Sequence, residues 1–167
     1  NARTFLSNLC GARIRLGQFT AAARDLETII AQTRHDWYGL SESYRFLAEA
    51  YFGLGKTAQA LEKAQQALAL TDQSHLLDSG RAWRVLGLAA AQLGTPILFD
   101  VEIDQWVDAT ACYCRSLDSF KEGNFERERA ITLWRWAQHE NGQANTGKGQ
   151  AIWHEAQAIF ARLNLPL

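Results

Sequence analysis

Methionine, proline and long apolar runs are missing or scarce in this sequence, and each absence excludes something. No methionine occurs among the 167 residues, so we expect a piece of a longer protein. Only two prolines occur, which leaves few helix breakers. The most apolar stretch, residues 86–93, is far shorter than the roughly 20 residues that span a bilayer. We therefore expect a helical protein without a transmembrane helix.

An excess of charge of one sign is also lacking. The 17 Lys and Arg and the 18 Asp and Glu leave a net charge of −1, so no overall field attracts nucleic acid or an anionic membrane. Three cysteines without the spacing of a disulfide framework indicate a reducing compartment, and we expect the cytoplasm. What is plentiful favours helices, because Ala, Leu, Gln, Glu and Arg are good helix formers. Length and apolar content predict one domain over residues 1–167.

Glycines divide the chain into similar units. Gly17, Gly55, Gly94 and Gly142 each follow a stretch in which apolar residues recur every three or four positions. Such a glycine is typical of the left-handed turn after a helix, so each unit is predicted to be a helix pair. The predicted helices cover about residues 3–16, 18–33, 38–54, 56–70, 76–93, 102–121, 124–140 and 147–163. Residues 95–104 are predicted to be a loop inserted in the third pair, because Pro96 stops the preceding helix.

The third unit resembles the tetratricopeptide repeat, whose consensus begins W-x2-L-G, since Trp83, Leu86 and Gly87 have that spacing. The other units match less completely, and the fourth has Ile131, Trp134 and Gln138 before Gly142. The resemblance implies an all-α, right-handed α-solenoid of about four repeats, at about 3–37, 38–75, 76–122 and 123–163. The spacing of 38 and 39 residues between the first three glycines is similar to that of long-period repeats of bacterial signal-transduction ATPases, cyclases and transcription activators.

The resemblance also implies a binding surface, because the first helix of each repeat lines the concave face in this family. The positions carried over are Ser7, Asn8, Gly11, Arg45, Phe46, Glu49, Phe52, Arg81, Arg84, Leu88, Gln92, Arg129, Thr132, Trp136 and His139. Aromatic residues beside several arginines are typical of a site for a peptide or protein segment. Solvated arginines on an exposed helix face would have the same pattern. Only Arg81 is compatible with the carboxylate clamp of chaperone-binding members.

The sequence contains only weak matches to metal-binding and phosphate-binding patterns. Cys112 and Cys114 lie two positions apart in a predicted helix, which turns their thiols to nearly opposite sides and disfavours a shared metal ion. The sequence Gly147-Lys148-Gly149 lacks the preceding strand of a phosphate-binding loop. We therefore expect no catalytic, cofactor-binding or metal-binding residues and no enzyme activity.

The first predicted helix is apolar on two sides. One stripe contains Phe5, Leu9, Ala12 and Leu16, and Leu6, Cys10 and Ile14 begin another. Upstream repeats would cover such a surface, and in their absence it predicts a homodimer through the first helix.

Two function classes remain open. The first is a non-catalytic interaction domain, the C-terminal part of a larger bacterial regulatory or signalling protein. It would hold a protein or peptide segment or neighbouring domains of its parent chain, with neither nucleic acid nor membrane as partner. The alternative is a small-ligand-sensing domain that controls an upstream ATPase, cyclase or transcription-activator module. A continuous open groove favours the first class, and a closed pocket with convergent polar groups favours the second.

Overall fold

The computed structural model of the chain describes residues 2–33, 39–71, 74–100 and 105–166. These ranges contain eight helices and one two-stranded sheet. In chain order the elements are α1 (Ala2–Arg15), α2 (Phe19–Ala31), α3 (Leu40–Gly53), α4 (Thr57–Ala69), α5 (Leu76–Leu93), β1 (Ile97–Asp100), β2 (Gln105–Val107), α6 (Ala109–Glu122), α7 (Glu126–Gly142) and α8 (Thr146–Arg162). The predicted start of the third helix and Trp37 lie outside the described residues.

The helices pack mainly against their neighbours in sequence. Each helix contacts the next one along the chain, and α1, α3, α5 and α7 also contact one another in series. Alanines with no exposed surface lie where helices meet, among them Ala22, Ala48, Ala60 and Ala64. Small side chains there let the helix axes approach closely. The chain is thus mainly α-helical, and no helix in the described ranges has both the length and the apolar character needed to cross a membrane.

Three core clusters follow one another along the chain. Leu26, Phe46 and Leu47 belong to the first, Trp83 and Tyr113 to the second, and the last pair of helices forms the third. Each cluster joins side chains from consecutive helices, so burial is distributed along the array.

Left-handed residues end the first helix of each pair. Gly17, Gly55 and Gly94 have φ between 69° and 74°, as predicted from their spacing. After Gly17 the amide of Gln18 donates to the carbonyl of Arg13 at 2.9 Å, a hydrogen bond that closes a helix C-terminus. The equivalent amide after Gly55 makes the same bond, also at 2.9 Å.

The prediction that Gly142 occupies this turn in the last pair is wrong. Gly142 is the last residue of α7, and Ala144 takes the left-handed conformation with φ 59°. The amide of Asn145 then donates to the carbonyl of Glu140 at 3.0 Å, which is the same closure two residues later. Two residues on a helix correspond to about 200° of rotation, so this shift changes which face of α7 is equivalent to those of α3 and α5.

The prediction of a loop at residues 95–104, followed directly by a helix, also needs correction. β1 and β2 form an antiparallel hairpin in which Ile97 pairs with Val107, and both side chains are buried. The carbonyl of Leu98 accepts a hydrogen bond from Nε2 of Gln65 on α4 at 2.9 Å. The sixth helix begins only at Ala109, where the carboxylate of Asp108 accepts from the amide of Ala111 at 2.7 Å.

Candidate functional site

A cavity of about 840 Å³ crosses the first helices of all four pairs, and we call it the arginine cavity. It is partly open to solvent. The residues that line it are Ile14, Arg15, Gly17, Phe19, Arg45, Phe46, Glu49, Phe52, Gly53, Arg81, Arg84, Val85, Leu88, Arg127, Glu128, Ile131 and Arg135.

The same face of each helix contributes to the arginine cavity. Phe46, Val85 and Arg135 each precede the left-handed residue of their pair by nine positions, counted from Gly55, Gly94 and Ala144. The lining residues lie at the end of α1 but in the first half of α7. Their position along the helix shifts by about one helical turn from one pair to the next. The cavity therefore runs obliquely across the helices.

Arg45 is the most buried charge in the cavity wall, with 4% of its side chain exposed. Its Nη1 donates to Glu49 at 2.7 Å, its Nη2 lies 3.4 Å from Glu42, and the guanidinium stacks 4.0 Å from the ring centre of Phe46. The Nε has no hydrogen-bond partner in the described part of the chain. A buried donor without a partner costs about 1–3 kcal/mol, and this N–H has almost no solvent-exposed surface.

Phe46 is buried and packs on Gly11, where a Cβ would lie 2.5 Å from the ring. Phe46 is therefore not an exposed aromatic residue of the predicted binding surface. The reason is that α1 lacks a side chain at Gly11, which lets α3 place a ring between the two helices. Only part of the Phe46 ring reaches the cavity wall.

An ion pair across the cavity floor joins α5 to α7. Glu128 accepts from Nη2 of Arg81 at 2.7 Å and from Nη1 of Arg84 at 2.8 Å. Although burial raises the pKa of Glu128, the charge of Arg84 and the bonds from Arg81 lower it to about 2. Burial lowers the pKa of Arg81, but the hydrogen bond and charge of Glu128 outweigh this effect and raise it. Two of the predicted arginines are thus held by one carboxylate that the sequence analysis did not single out.

Three arginines of the cavity differ from Arg45, Arg81 and Arg84 in their ion pairs. Arg15, Arg127 and Arg135 make no ion pair with a carboxylate of the described residues. Burial and the charge of Arg84 lower the pKa of Arg135, as expected for a cation that is partly desolvated beside another cation. Six arginines and two glutamates line the cavity, an excess of four positive charges in a chain of net charge −1. The arrangement favours anions and gives them apolar surface to contact.

Seven of the predicted binding residues line the arginine cavity: Arg45, Phe46, Glu49, Phe52, Arg81, Arg84 and Leu88. Five others do not. Asn8 is exposed on α1, and Gln92 accepts from Oγ1 of Thr57 at 2.7 Å on the α4 side of its helix. Arg129 pairs with Glu126 and with Glu155 of α8.

Trp136 and His139 are the remaining two, and they lie on the side of α7 that faces α6 and α8. The Trp136 ring stacks on Tyr113, and its Nε1 donates to Glu140 at 2.8 Å. His139 lines a separate small pocket with Gly94 and Asp108. The displacement of Arg129, Trp136 and His139 from the cavity follows from the turn at Ala144, because the Gly142 frame assigned the wrong face of α7.

The sequence analysis missed the α7 lining residues Arg127, Glu128, Ile131 and Arg135. Counted back from Ala144, the positions of Arg81 and Val85 relative to Gly94 correspond to Ile131 and Arg135, but alanine gives no signal for a left-handed turn. It also missed Arg15 and Phe19 near the first turn. Three other residues were carried over. Ser7 is buried against Ser43 and Thr132 against Ser116, both through hydroxyl contacts, and Gly11 packs against the ring of Phe46.

The three cysteines differ in their exposure. Cys112 is buried and Cys114 exposed, as their helical spacing predicts. Burial raises the pKa of the Cys112 thiol to about 12. Among the residues that the structure describes, no three metal-ligating side chains converge. No protein-family model matches the sequence, and no curated protein matches it.

Proposed function

We propose that this chain is a tetratricopeptide-like interaction domain whose arginine cavity binds an acidic, partly apolar segment of a protein partner. The observation that carries the proposal is the excess of four positive charges on one concave surface of a chain that is otherwise slightly acidic. Phe52, Leu88 and Ile131 supply apolar surface between these charges. Arginine and aromatic side chains together are typical of binding hot spots.

The proposed role is non-catalytic. Guanidinium groups bind carboxylates but do not exchange protons near neutral pH, and they dominate the polar lining of the cavity. The serial contacts of α1, α3, α5 and α7 support a solenoid of four helix pairs, for which the sequence resemblance implies a right-handed twist. In this proposal the domain belongs to a larger cytoplasmic regulatory protein of a bacterium. Its partner is another protein or a neighbouring domain of the parent chain.

A second candidate is a sensor of a small anionic ligand. It is favoured by the cavity volume of about 840 Å³, which lies within the range of roughly 300–1,000 Å³ typical of small-molecule sites. In that case Arg15, Arg127 and Arg135, which line the cavity and have no ion-pair partner among the described residues, would be the natural donors to the ligand.

Selection from a library of displayed random peptides tests the first proposal. Leu88→Trp fills the cavity without changing its charge, and Leu93→Trp at an exposed position of α5 is the matched control. We expect peptides that bind the wild type and Leu93→Trp but lose binding to Leu88→Trp. A selection that yields no such peptide contradicts the proposal. Thermal stabilisation by phosphorylated or dicarboxylate metabolites, abolished by Leu88→Trp, would instead favour the second candidate.

A further inference from the structure

A second cavity adjoins the arginine cavity at the end of the chain, and we call it the C-terminal pocket. It has a volume of about 230 Å³ and lies between α7, α8 and the segment after α8. Its lining is Arg127, Ile131, Trp134, Trp153, Phe160, Leu165 and Pro166. Apart from the guanidinium of Arg127, these side chains offer only apolar contacts and the indole N–H groups, so an aromatic or branched aliphatic side chain suits the pocket.

The two cavities share part of their walls. Arg127 and Ile131 line both, and Arg135 continues the same stripe of α7 into the arginine cavity. Residues four positions apart lie on one face of a helix and rise by about 6 Å per step. The guanidinium of Arg135 also stacks 4.4 Å from the ring centre of Trp134, a wall residue of the C-terminal pocket. A single bound segment can therefore contact both cavities along this stripe.

The arginines of the stripe formed by Arg127, Ile131 and Arg135 differ from Arg129 in their ion pairs. Arg127 and Arg135 have no carboxylate partner among the described residues, whereas Arg129 pairs with Glu126 and Glu155. Glu128 is itself held by Arg81 and Arg84, so it does not neutralise the stripe. Arg127 lines the C-terminal pocket, and Arg135 stacks on Trp134 in its wall.

We infer that the C-terminal pocket holds one large apolar side chain of the partner segment, while acidic residues of that segment pair with Arg127 and Arg135. This inference rests on the proposed function and specifies its ligand. The two arginines are about 12 Å apart along the helix axis, a distance that an extended peptide covers in about four residues. The acidic residues therefore lie within about four positions of the apolar one.

Peptides recovered from the display selection provide the probe. The inference predicts that cavity-dependent peptides carry a Phe, Trp, Leu or Ile within about four positions of Asp or Glu. Cavity-dependent peptides without this combination overturn the inference but leave the proposed function standing. No cavity-dependent peptide at all overturns both.

Binding of one such peptide, synthesised with a fluorescein label, then tests the pairing by fluorescence anisotropy. Replacing its apolar residue by Ala is expected to weaken binding at least tenfold, and this change leaves the protein intact. Arg127→Gln is expected to weaken binding of the acidic peptide about tenfold. It should have little effect on binding of a copy of the peptide with Asn and Gln in place of Asp and Glu. Arg129→Gln, on the same helix but outside both cavities, is the matched control. Equal losses for both peptide versions, or for both arginine variants, contradict the inference.

Discussion

Arg84 on α5 and Glu128 on α7 form an ion pair of 2.8 Å in the floor of the arginine cavity. Arg84 also donates to the main-chain carbonyl of Glu128 at 3.3 Å, so one guanidinium binds both ends of the same residue. The pair is mostly buried and connects two helices that are not neighbours in sequence. This contact makes Arg84 a structural residue of the site as well as a source of positive charge.

The pH dependence of stability tests this ion pair. Because the pKa of Glu128 is lowered from 4.5 to about 2, its stabilisation is full above about pH 4.5 and is lost as the pH falls toward 2. We expect Glu128→Gln to reduce the free energy of unfolding by about 3 kcal/mol at pH 7 and by about 1 kcal/mol at pH 3. Urea unfolding at both pH values measures this difference. Glu155→Gln, at a more exposed position, is the control. If Glu128→Gln reduced the free energy of unfolding equally at both pH values, the lowered pKa of Glu128 would be contradicted.

Exchange of Gly and Ala at the last turn tests the register of α7. Ala144→Gly is expected to raise the free energy of unfolding by about 1 kcal/mol, because glycine adopts positive φ without steric cost. Gly142→Ala is expected to stabilise by about 0.5 kcal/mol, since this position is helical and a Cβ there meets open space. Both variants should melt at a higher temperature than the wild type. Destabilisation by Gly142→Ala would instead indicate that Gly142 occupies the left-handed turn, as the glycine spacing predicts.

The same turn explains how far the sequence predicts the site. Of the four left-handed turns that lie within helix pairs, glycine marks three correctly, so the faces of α3 and α5 and seven site residues follow from Gly55 and Gly94. Ala144 carries no such mark, because its conformation depends on the closure between Asn145 and Glu140. The face of α7 was therefore assigned from Gly142 and was wrong.

The sequence predicts the burial of aromatic residues less well than it predicts the positions of the helices. Trp83 matches a repeat position on a regular helix, and it is buried. Phe46 is buried because the facing helix has Gly11, which is a relationship between two helices and not a local pattern. The hairpin also depends on tertiary contacts, since Ile97 and Val107 gain their burial against helices that lie elsewhere in the chain.

Replacing Trp83 tests how much its ring contributes to the stability of the core in the third helix pair. Its ring lies 4.8 Å from that of Phe99, and the guanidinium of Arg115 lies 4.5 Å from its centre. Trp83→Ala is expected to cost about 3–5 kcal/mol, because it leaves a cavity between α5, α6 and the hairpin. Leu70→Ala at an exposed position is the control and should cost less than about 1 kcal/mol. A melting shift of Trp83→Ala no larger than that of the control would show that the ring contributes little to the core.

Sedimentation tests self-association through α1. Phe5 and Leu16 are 68% and 73% exposed, and Leu6 and Leu9 are also exposed. Ile14, from the second predicted stripe, is instead buried and lines the arginine cavity, so it is unsuitable for the test. We expect a concentration-dependent dimer that Phe5→Glu or Leu16→Glu dissociates. Leu163→Glu, at an exposed position after α8, should leave the dimer intact, and a wild-type monomer at high concentration would contradict this prediction.

The association rate of an acidic peptide tests the central claim most directly. Stopped-flow fluorescence of a cavity-dependent peptide gives the association and dissociation rate constants separately. If the excess charge of the arginine cavity recruits the partner, the association rate constant falls at least tenfold between about 50 and about 500 mM salt. The triple variant Arg15→Gln, Arg127→Gln, Arg135→Gln should bind slowly at low salt and lose most of this salt dependence. An association rate that is independent of salt, and equal in the wild type and the triple variant, would contradict the account.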